Sequence, residues 1–231
     1  NAFSVSKFWR MADERYITQA QADEAKQRAI VTRGQPTQPP GIAPFFVEEV
    51  RKHLEREYGI DFDAGLSPVE RATALAIELM IDRELAPAFT YFRWLVPANF
   101  EKGPAQFFNG APTEHREAIK KDVLERVRAG FMARGIARHN EVEITLLAER
   151  SLDALEVFIG DKPYLMGDQP CGTDAFVFAT LAGAMTPFFD TPVRDAAISR
   201  PRLVAYVSRM MDRFYPEFEW DAGINPARQA A

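Results

Sequence analysis

The clearest pattern of polar and apolar positions begins at Ser67 and predicts one long helix. Ser67 and Glu70 have the spacing of a capping box, and a proline stands at the first helical position between them. We expect this helix to run to about Val96. Its second half is apolar apart from Arg93, which indicates a central position in the fold. A proline within the helix, Pro87, is expected to kink it.

Further capping or periodicity signals predict four helices downstream, and no stretch after residue 60 alternates like a strand. A strongly charged helix is expected over 113–134, a core helix over 171–186, and a last helix beginning near Pro201. Asn140 and Glu143 form another capping box. An apolar stripe follows that box: Ile144, Ala148, Leu152, Leu155 and Ile159. The pattern predicts an all-α fold over residues 60–231, arranged as a helical bundle.

The helix expected after Cys171 is apolar on every side, which is typical of a helix enclosed by a core. A charged, proline-bearing loop precedes it, and Asp174 stands in its first turn. There a carboxylate can accept the free backbone N–H groups and complement the helix dipole. We interpret Asp174 as a structural helix cap, with a catalytic carboxylate as the alternative. Cys171 occupies the N-cap position, where a thiol is a weaker acceptor than a hydroxyl.

The first 57 residues form a separate segment whose fold is not evident from the pattern. Residues 32–44 contain four prolines and two glycines, which indicates a linker or extended loop. The rest of the segment is expected to be mostly helical or irregular. We therefore divide the chain into an N-terminal segment, residues 1–57, and a helical domain, residues 58–231.

The composition of the chain argues against several classes of function. The net charge of −5 does not suggest a nucleic-acid partner or an anionic membrane surface, and no apolar run is long enough for a membrane span. A single cysteine allows no intramolecular disulfide, which fits a cytoplasmic location. The three histidines lie far apart and none has metal-ligand spacing, so we expect no metal site.

Several of these segments resemble the C-terminal helical domain of glutathione transferase-like proteins. Tyr58-Gly59-Ile60-Asp61 and the following residues resemble the junction into that domain. Tyr91-Phe92-Arg93-Trp94-Leu95 resembles its central helix. Residues 160–181 resemble the loop and buried helix near its end. The resemblance covers about residues 58–216 and is strongest to the metaxin and failed-axon-connections subgroup. It implies a glutathione transferase C-terminal-like bundle and a homodimer.

The N-terminal segment departs from that family, whose members begin with a thioredoxin-like domain that binds glutathione. No complete thioredoxin-like domain is legible in residues 1–57. Ser4 and Ser6 are weak candidates for the hydroxyl that activates the glutathione thiol in the family. Residues 9–58 instead resemble a non-catalytic connector of class A penicillin-binding proteins.

The resemblance implies a protein that binds or conjugates glutathione and a hydrophobic electrophile, provided that the N-terminal part is competent. Glutathione would be a co-substrate, and no tightly bound cofactor is expected. Tyr91, Arg93 and Trp94 would line the pocket for the electrophile. We expect Arg93 to pair with Asp82 or Glu84, or alternatively with a ligand anion, because an unpaired buried charge is costly. The alternative is a non-catalytic helical interaction module of the metaxin type.

Overall fold

The computed structural model describes residues 52–218 together with Ala20 and Trp220. The chain divides into two compact units, Asn1–Ala64 and Gly65–Ala231. Several expectations lie outside the described residues: Ser4, Ser6, the linker over 32–44 and most of the segment that resembles a penicillin-binding-protein connector. The division into 1–57 and 58–231, and the fold of the first segment, therefore stay predictions.

In the first unit, residues 52–58 are helical and the helix ends at a glycine. Gly59 has a φ of +65°, in the left-handed region that glycine adopts without strain. Its N–H bonds to the carbonyl oxygen of Glu55 at 3.0 Å. The Asp61 carboxylate then accepts the Asp63 N–H at 2.9 Å, which closes a turn. Gly59 thus ends this helix as a C-terminal glycine ordinarily does.

The second unit opens with the long helix that the capping box predicts. The Ser67 hydroxyl accepts the Glu70 N–H at 3.3 Å, and the Glu70 carboxylate accepts the Ser67 N–H at 2.8 Å. Helix α1 spans Pro68–Met80, a π-helical turn spans Ile81–Leu85, and helix α2 spans Ala86–Leu95. The wide π turn ends at Leu85, two residues before Pro87. The irregularity that a proline imposes on a helix therefore lies in the turn that precedes it.

Six more helices follow within the described part of the unit. They are α3 (Pro97–Lys102), α4 (Thr113–Arg134), α5 (Glu141–Ile159), α6 (Gly172–Met185), α7 (Pro192–Ile198) and α8 (Pro201–Phe214). Short 3₁₀ turns span Pro104–Phe108 and Ile136–Arg138. Residues 52–218 contain no strand, and the all-α fold predicted over this range is confirmed.

Two short helices are absent from the sequence prediction. Residues 97–112 show no apolar periodicity, yet they contain α3 and a 3₁₀ turn, and α7 is likewise not indicated by the pattern. Each is seven residues or shorter and starts with a proline at its first position. Helices of this length bury too few residues to show a periodic apolar face, so their pattern resembles a loop.

Helix α6 runs through the main core of the unit. It packs against α1, α7 and α8, and most of its side chains are buried. Its apolar residues belong to the same core cluster as Leu85 from the π turn, Leu152 from α5 and Val207 from α8. The helix is therefore largely enclosed by the core, and its exposed positions are the small residues Ala175 and Ala179. A second, smaller cluster lies between α2 and α4 and contains Trp94, Phe100, Ala105 and Val127.

Candidate functional site

Arg93 is the most unusual charged residue of the helical unit. It lies near the end of α2, is largely buried, and its Nη2 donates a hydrogen bond to the backbone carbonyl oxygen of Gly183 on α6. Its guanidinium carbon is 4.6 Å from the ring centre of Phe89, one turn earlier on α2. It is 4.7 Å from the ring centre of Phe189. Both distances are typical of cation–π contacts.

No carboxylate within the described residues forms an ion pair with Arg93, so the expected pairing with Asp82 or Glu84 is wrong. Asp82 instead lies 3.7 Å from its neighbour Arg83, and Glu84 pairs with Arg150 on α5 at 2.6 Å. Distance along the helix explains this. At a rise of about 1.5 Å per residue, the nearer carboxylate, that of Glu84, lies about 13 Å from Arg93 along the axis.

Burial lowers the pKa of Arg93 to about 10, because desolvation disfavours the charged form. The side chain nevertheless stays a cation at neutral pH. Apart from Nη2, its guanidinium nitrogens have no hydrogen-bond partner among the described residues, and none of them is fully shielded from solvent. The structure therefore presents a partly buried cation with unused N–H donors beside two aromatic rings.

The loop between α6 and α7 completes the surroundings of Arg93. The Phe189 ring of this loop approaches Gly103 so closely that a Cβ atom there would lie 2.6 Å from it. Asn99, which is buried on α3, donates from Nδ2 to the carbonyl oxygens of Phe92 at 3.2 Å and Asp190 at 3.0 Å. These contacts fix the loop over Arg93.

The sequence pattern alone does not reveal the importance of this loop. Adjacent phenylalanines such as those after Pro187 are typical of ordinary core packing, but Phe188 is 47% exposed and Lys102 lies over its ring at 5.2 Å. The signal that could have drawn attention to it is a pair of aromatic residues in a short segment bounded by Pro187 and Pro192, which is an expected place for ligand-contacting loops.

Tyr91 and Trp94 lie on a different side of α2 from Arg93. Trp94 is buried in the second cluster, with ring centres 6.1 Å from Phe100 and 6.3 Å from Phe107. Tyr91 is partly buried against Phe131 of α4, at 6.1 Å. Both residues therefore face α4, whereas Arg93 faces α6 and the loop after it, so the three side chains do not converge on one point.

Asp174 lies at the entrance of α6 and is completely buried. Its Oδ1 accepts the Leu165 N–H at 3.0 Å and the Tyr206 hydroxyl at 2.8 Å, and its Oδ2 accepts the Cys171 N–H at 2.8 Å. The carboxylate therefore joins the loop before α6, the first turn of α6 and helix α8. Three donors satisfy it within the protein, which is the arrangement of a structural cap.

Comparison with known proteins identifies the family. Residues 148–210 match the family model described as Glutathione S-transferase, C-terminal domain, and residues 4–99 match the one described as Glutathione S-transferase N-terminal domain. The chain is a glutathione S-transferase-like protein. The second match extends from the N-terminal segment across α1 and α2.

The relatives include a glutathione S-transferase and metaxin-1. The chain is 25% identical over 203 residues to isoprene-epoxide–glutathione S-transferase of Rhodococcus sp. (strain AD45), a match that covers 83% of this chain and 85% of that protein. It is 25% identical over 187 residues to metaxin-1 of Macaca fascicularis, covering 77% of this chain and 57% of the relative. With human metaxin-1 it shares 25% identity over 77% of this chain and 39% of the relative. No solved structure matches significantly.

The N-cap of α6 carries a thiol. Cys171 lies at the N-cap, where its thiol faces the Asp174 N–H in the place of a capping hydroxyl. Burial, and secondarily the nearby Asp174, raise the pKa of the Cys171 thiol to about 12. The thiol is therefore protonated at neutral pH and is not an activated nucleophile.

Two further findings on the described residues concern metal binding and membrane spans. Among them there is no group of three or more His, Cys, Asp or Glu side chains arranged to hold a metal ion. No helix in the same part of the chain is both long and apolar enough to span a bilayer.

Proposed function

We propose that the protein binds glutathione and conjugates it to a hydrophobic electrophile. The observation that carries this proposal is the order of the two family matches, an N-terminal glutathione S-transferase domain followed by a C-terminal one on the same chain. The similarity to the Rhodococcus enzyme extends over most of both proteins, which supports the same conclusion.

The proposed reaction divides between the two parts of the chain. The N-terminal part would hold glutathione and stabilise its thiolate, since the thiolate and not the thiol is the nucleophile. Ser4 or Ser6 would supply the stabilising hydroxyl. The sulfur forms a bond to an electrophilic carbon while the leaving group departs with its electron pair. With an epoxide, the C–O bond breaks and the alkoxide oxygen takes up a proton.

The helical part would hold the electrophile. Tyr91, Arg93 and Trp94 were expected to contact it, and Arg93 is the one whose surroundings favour a direct contact because it keeps free donors beside aromatic rings. Trp94 would act by supporting the α2–α4 packing, since its side chain is only 5% exposed.

We further propose that the protein acts as a cytoplasmic homodimer. Leu75 and Leu79 are 57% and 48% exposed one turn apart on α1, and two leucines on one helical face favour association with another apolar surface. Light scattering after gel filtration would measure the mass. A mass of one chain at micromolar concentration would contradict the dimer.

A non-catalytic interaction module is the second candidate, and the matches to metaxin-1 favour it. Retention on immobilised glutathione and turnover of 1-chloro-2,4-dinitrobenzene separate the two functions. Conjugation predicts retention, turnover above the uncatalysed rate, and loss of turnover in Ser4→Ala or Ser6→Ala. Absence of both retention and turnover would contradict the proposed activity and leave the interaction module.

A further inference from the structure

We propose that Arg93 and the aromatic residues around it form a binding site for the carboxylate group of a small ligand with an aromatic or unsaturated apolar body. The inference rests on the proposed function in one respect, that this ligand is the electrophilic co-substrate. The residues of the site itself all belong to the helical unit.

Arg93 has no counter-ion among the described residues. A buried charge is normally paired, because its desolvation costs several kcal/mol in the absence of a partner. Among residues 52–218, Arg93 is held by one backbone carbonyl and two phenylalanine rings, none of which carries a negative charge. The carboxylate of Asp190, which follows Phe189, forms no ion pair with it within this range, although the backbone oxygen of Asp190 accepts from Asn99.

Arg93 leaves most of its hydrogen-bond donors unused within the described part of the chain. A guanidinium offers five N–H groups in a planar fork that matches a carboxylate with two parallel hydrogen bonds. Only Nη2 is engaged in the described part of the protein, and the remaining nitrogens are accessible to solvent. These nitrogens are therefore the donors that the carboxylate of the proposed ligand would occupy.

The side chains around Arg93 suit an apolar ligand body with an aromatic or unsaturated group. Phe89 and Phe189 contact the guanidinium, and the half-exposed Phe188 ring lies 4.9 Å from that of Phe189 in an edge-to-face pair. Aromatic rings favour an aromatic or unsaturated ligand body by stacking and edge contacts. Lys102, over the Phe188 ring, adds a second positive charge on this side of the loop. The surroundings thus combine anion recognition with apolar packing.

Another arginine provides a matched comparison within the same unit. Arg213 lies over the rings of Tyr164 and Phe214 at 5.3 Å and 5.4 Å, which resembles the aromatic contacts of Arg93. Its Nη1, however, donates to the Tyr164 hydroxyl at 2.7 Å, within a side-chain contact that joins α8 to the loop before α6. Arg213 is therefore a suitable control for loss of an arginine that contacts aromatic rings without being part of the proposed site.

The test is a titration of the full chain with trans-cinnamate and, separately, with the neutral cinnamamide, followed by calorimetry and by the arginine Nε–H signals in nuclear magnetic resonance. We expect saturable cinnamate binding that shifts the Arg93 Nε–H signal, and at least tenfold weaker binding of cinnamamide. Arg93→Met should weaken cinnamate binding at least tenfold, Arg93→Lys should weaken it less, and Arg213→Met should leave it unchanged.

Three results would overturn the proposal: no saturable cinnamate binding, equal binding of the acid and the amide, or binding that does not depend on Arg93. If Arg93→Met does not fold, the comparison of the two probes on the unaltered protein still decides the matter. The titration contains no glutathione. A negative result would therefore assign Arg93 a structural role without affecting retention on glutathione, and failure of that retention would not affect the titration.

Discussion

The Tyr206 hydroxyl donates to the Asp174 carboxylate at 2.8 Å, and both side chains are completely buried. The same hydroxyl lies 3.1 Å from the Asp174 backbone oxygen. Burial, with a smaller contribution from the Asp174 charge, raises the pKa of Tyr206 well above its usual value, so it remains a donor at any physiological pH. This contact connects the last helix of the bundle to the cap of its central helix.

Tyr206→Phe removes the hydroxyl and leaves Asp174 with one donor fewer in a site closed to water. We expect the free energy of unfolding to fall by about 1–3 kcal/mol, since a buried acceptor loses its partner. Urea unfolding followed by circular dichroism measures the change. Tyr91→Phe is the control, because the described structure gives the Tyr91 hydroxyl no hydrogen bond, and it should shift stability much less. Equal effects of the two substitutions would contradict the proposed role of the contact.

Cys171→Ser replaces the thiol at the N-cap of α6 with a hydroxyl. A hydroxyl is the stronger acceptor for the Asp174 N–H, so we expect stability at neutral pH to rise by about 0.5–1 kcal/mol. The melting temperature measures it. A lower melting temperature would mean that the buried Cys171 contributes by packing and that its capping role is minor.

The raised pKa of the Cys171 thiol predicts how stability depends on alkaline pH. In the unfolded chain the thiol ionises near pH 9.0, whereas in the folded protein it ionises near pH 12. The unfolded state therefore loses its proton first, and the stabilising contribution is complete below pH 9 and lost as pH rises towards 12. Relative to Cys171→Ser, the unaltered protein should lose about 1–2 kcal/mol between pH 8 and pH 10.5. Parallel pH profiles of the two proteins would contradict this assignment.

Gly103→Ala tests the packing of the loop on Arg93. The added Cβ would lie 2.6 Å from the Phe189 ring, so the ring must move. Gly103 has a φ of −123°, which excludes strain from a left-handed backbone as the cause of any effect. We expect a loss of about 1–3 kcal/mol in unfolding free energy and weaker cinnamate binding. Gly110→Ala is the control because its Cβ would meet open space. Unchanged stability and binding in Gly103→Ala would argue against close packing here.

The sequence predicted the features of this fold that depend on local pattern. Capping boxes at Ser67 and Asn140 and the apolar helix after Cys171 specify their helices without reference to the rest of the chain, and all three are present. The resemblance to the glutathione transferase family rested on such segments. Their chemistry is structural, which is why they identified the family and only weakly indicated a site.

The surroundings of Arg93 could not be predicted in the same way. Its partners Gly183 and Phe189 come from a distant part of the chain, and only the packing of α6 against the bundle brings them near α2. Asp82 and Glu84 lie near Arg93 in the sequence. Residues nine or more positions apart on a helix are, however, separated by about 13 Å or more along its axis. Contacts of this kind follow from tertiary packing, which local periodicity does not specify.

We propose above all that the protein activates glutathione, and the ionisation of bound glutathione tests this activation most directly. Ultraviolet difference spectroscopy of the complex across a pH series measures the pKa of the bound thiol. The proposed function predicts a pKa below that of free glutathione, with Ser4→Ala or Ser6→Ala returning it towards the free value. A bound thiol with an unchanged pKa, or no binding of glutathione at all, would contradict the account.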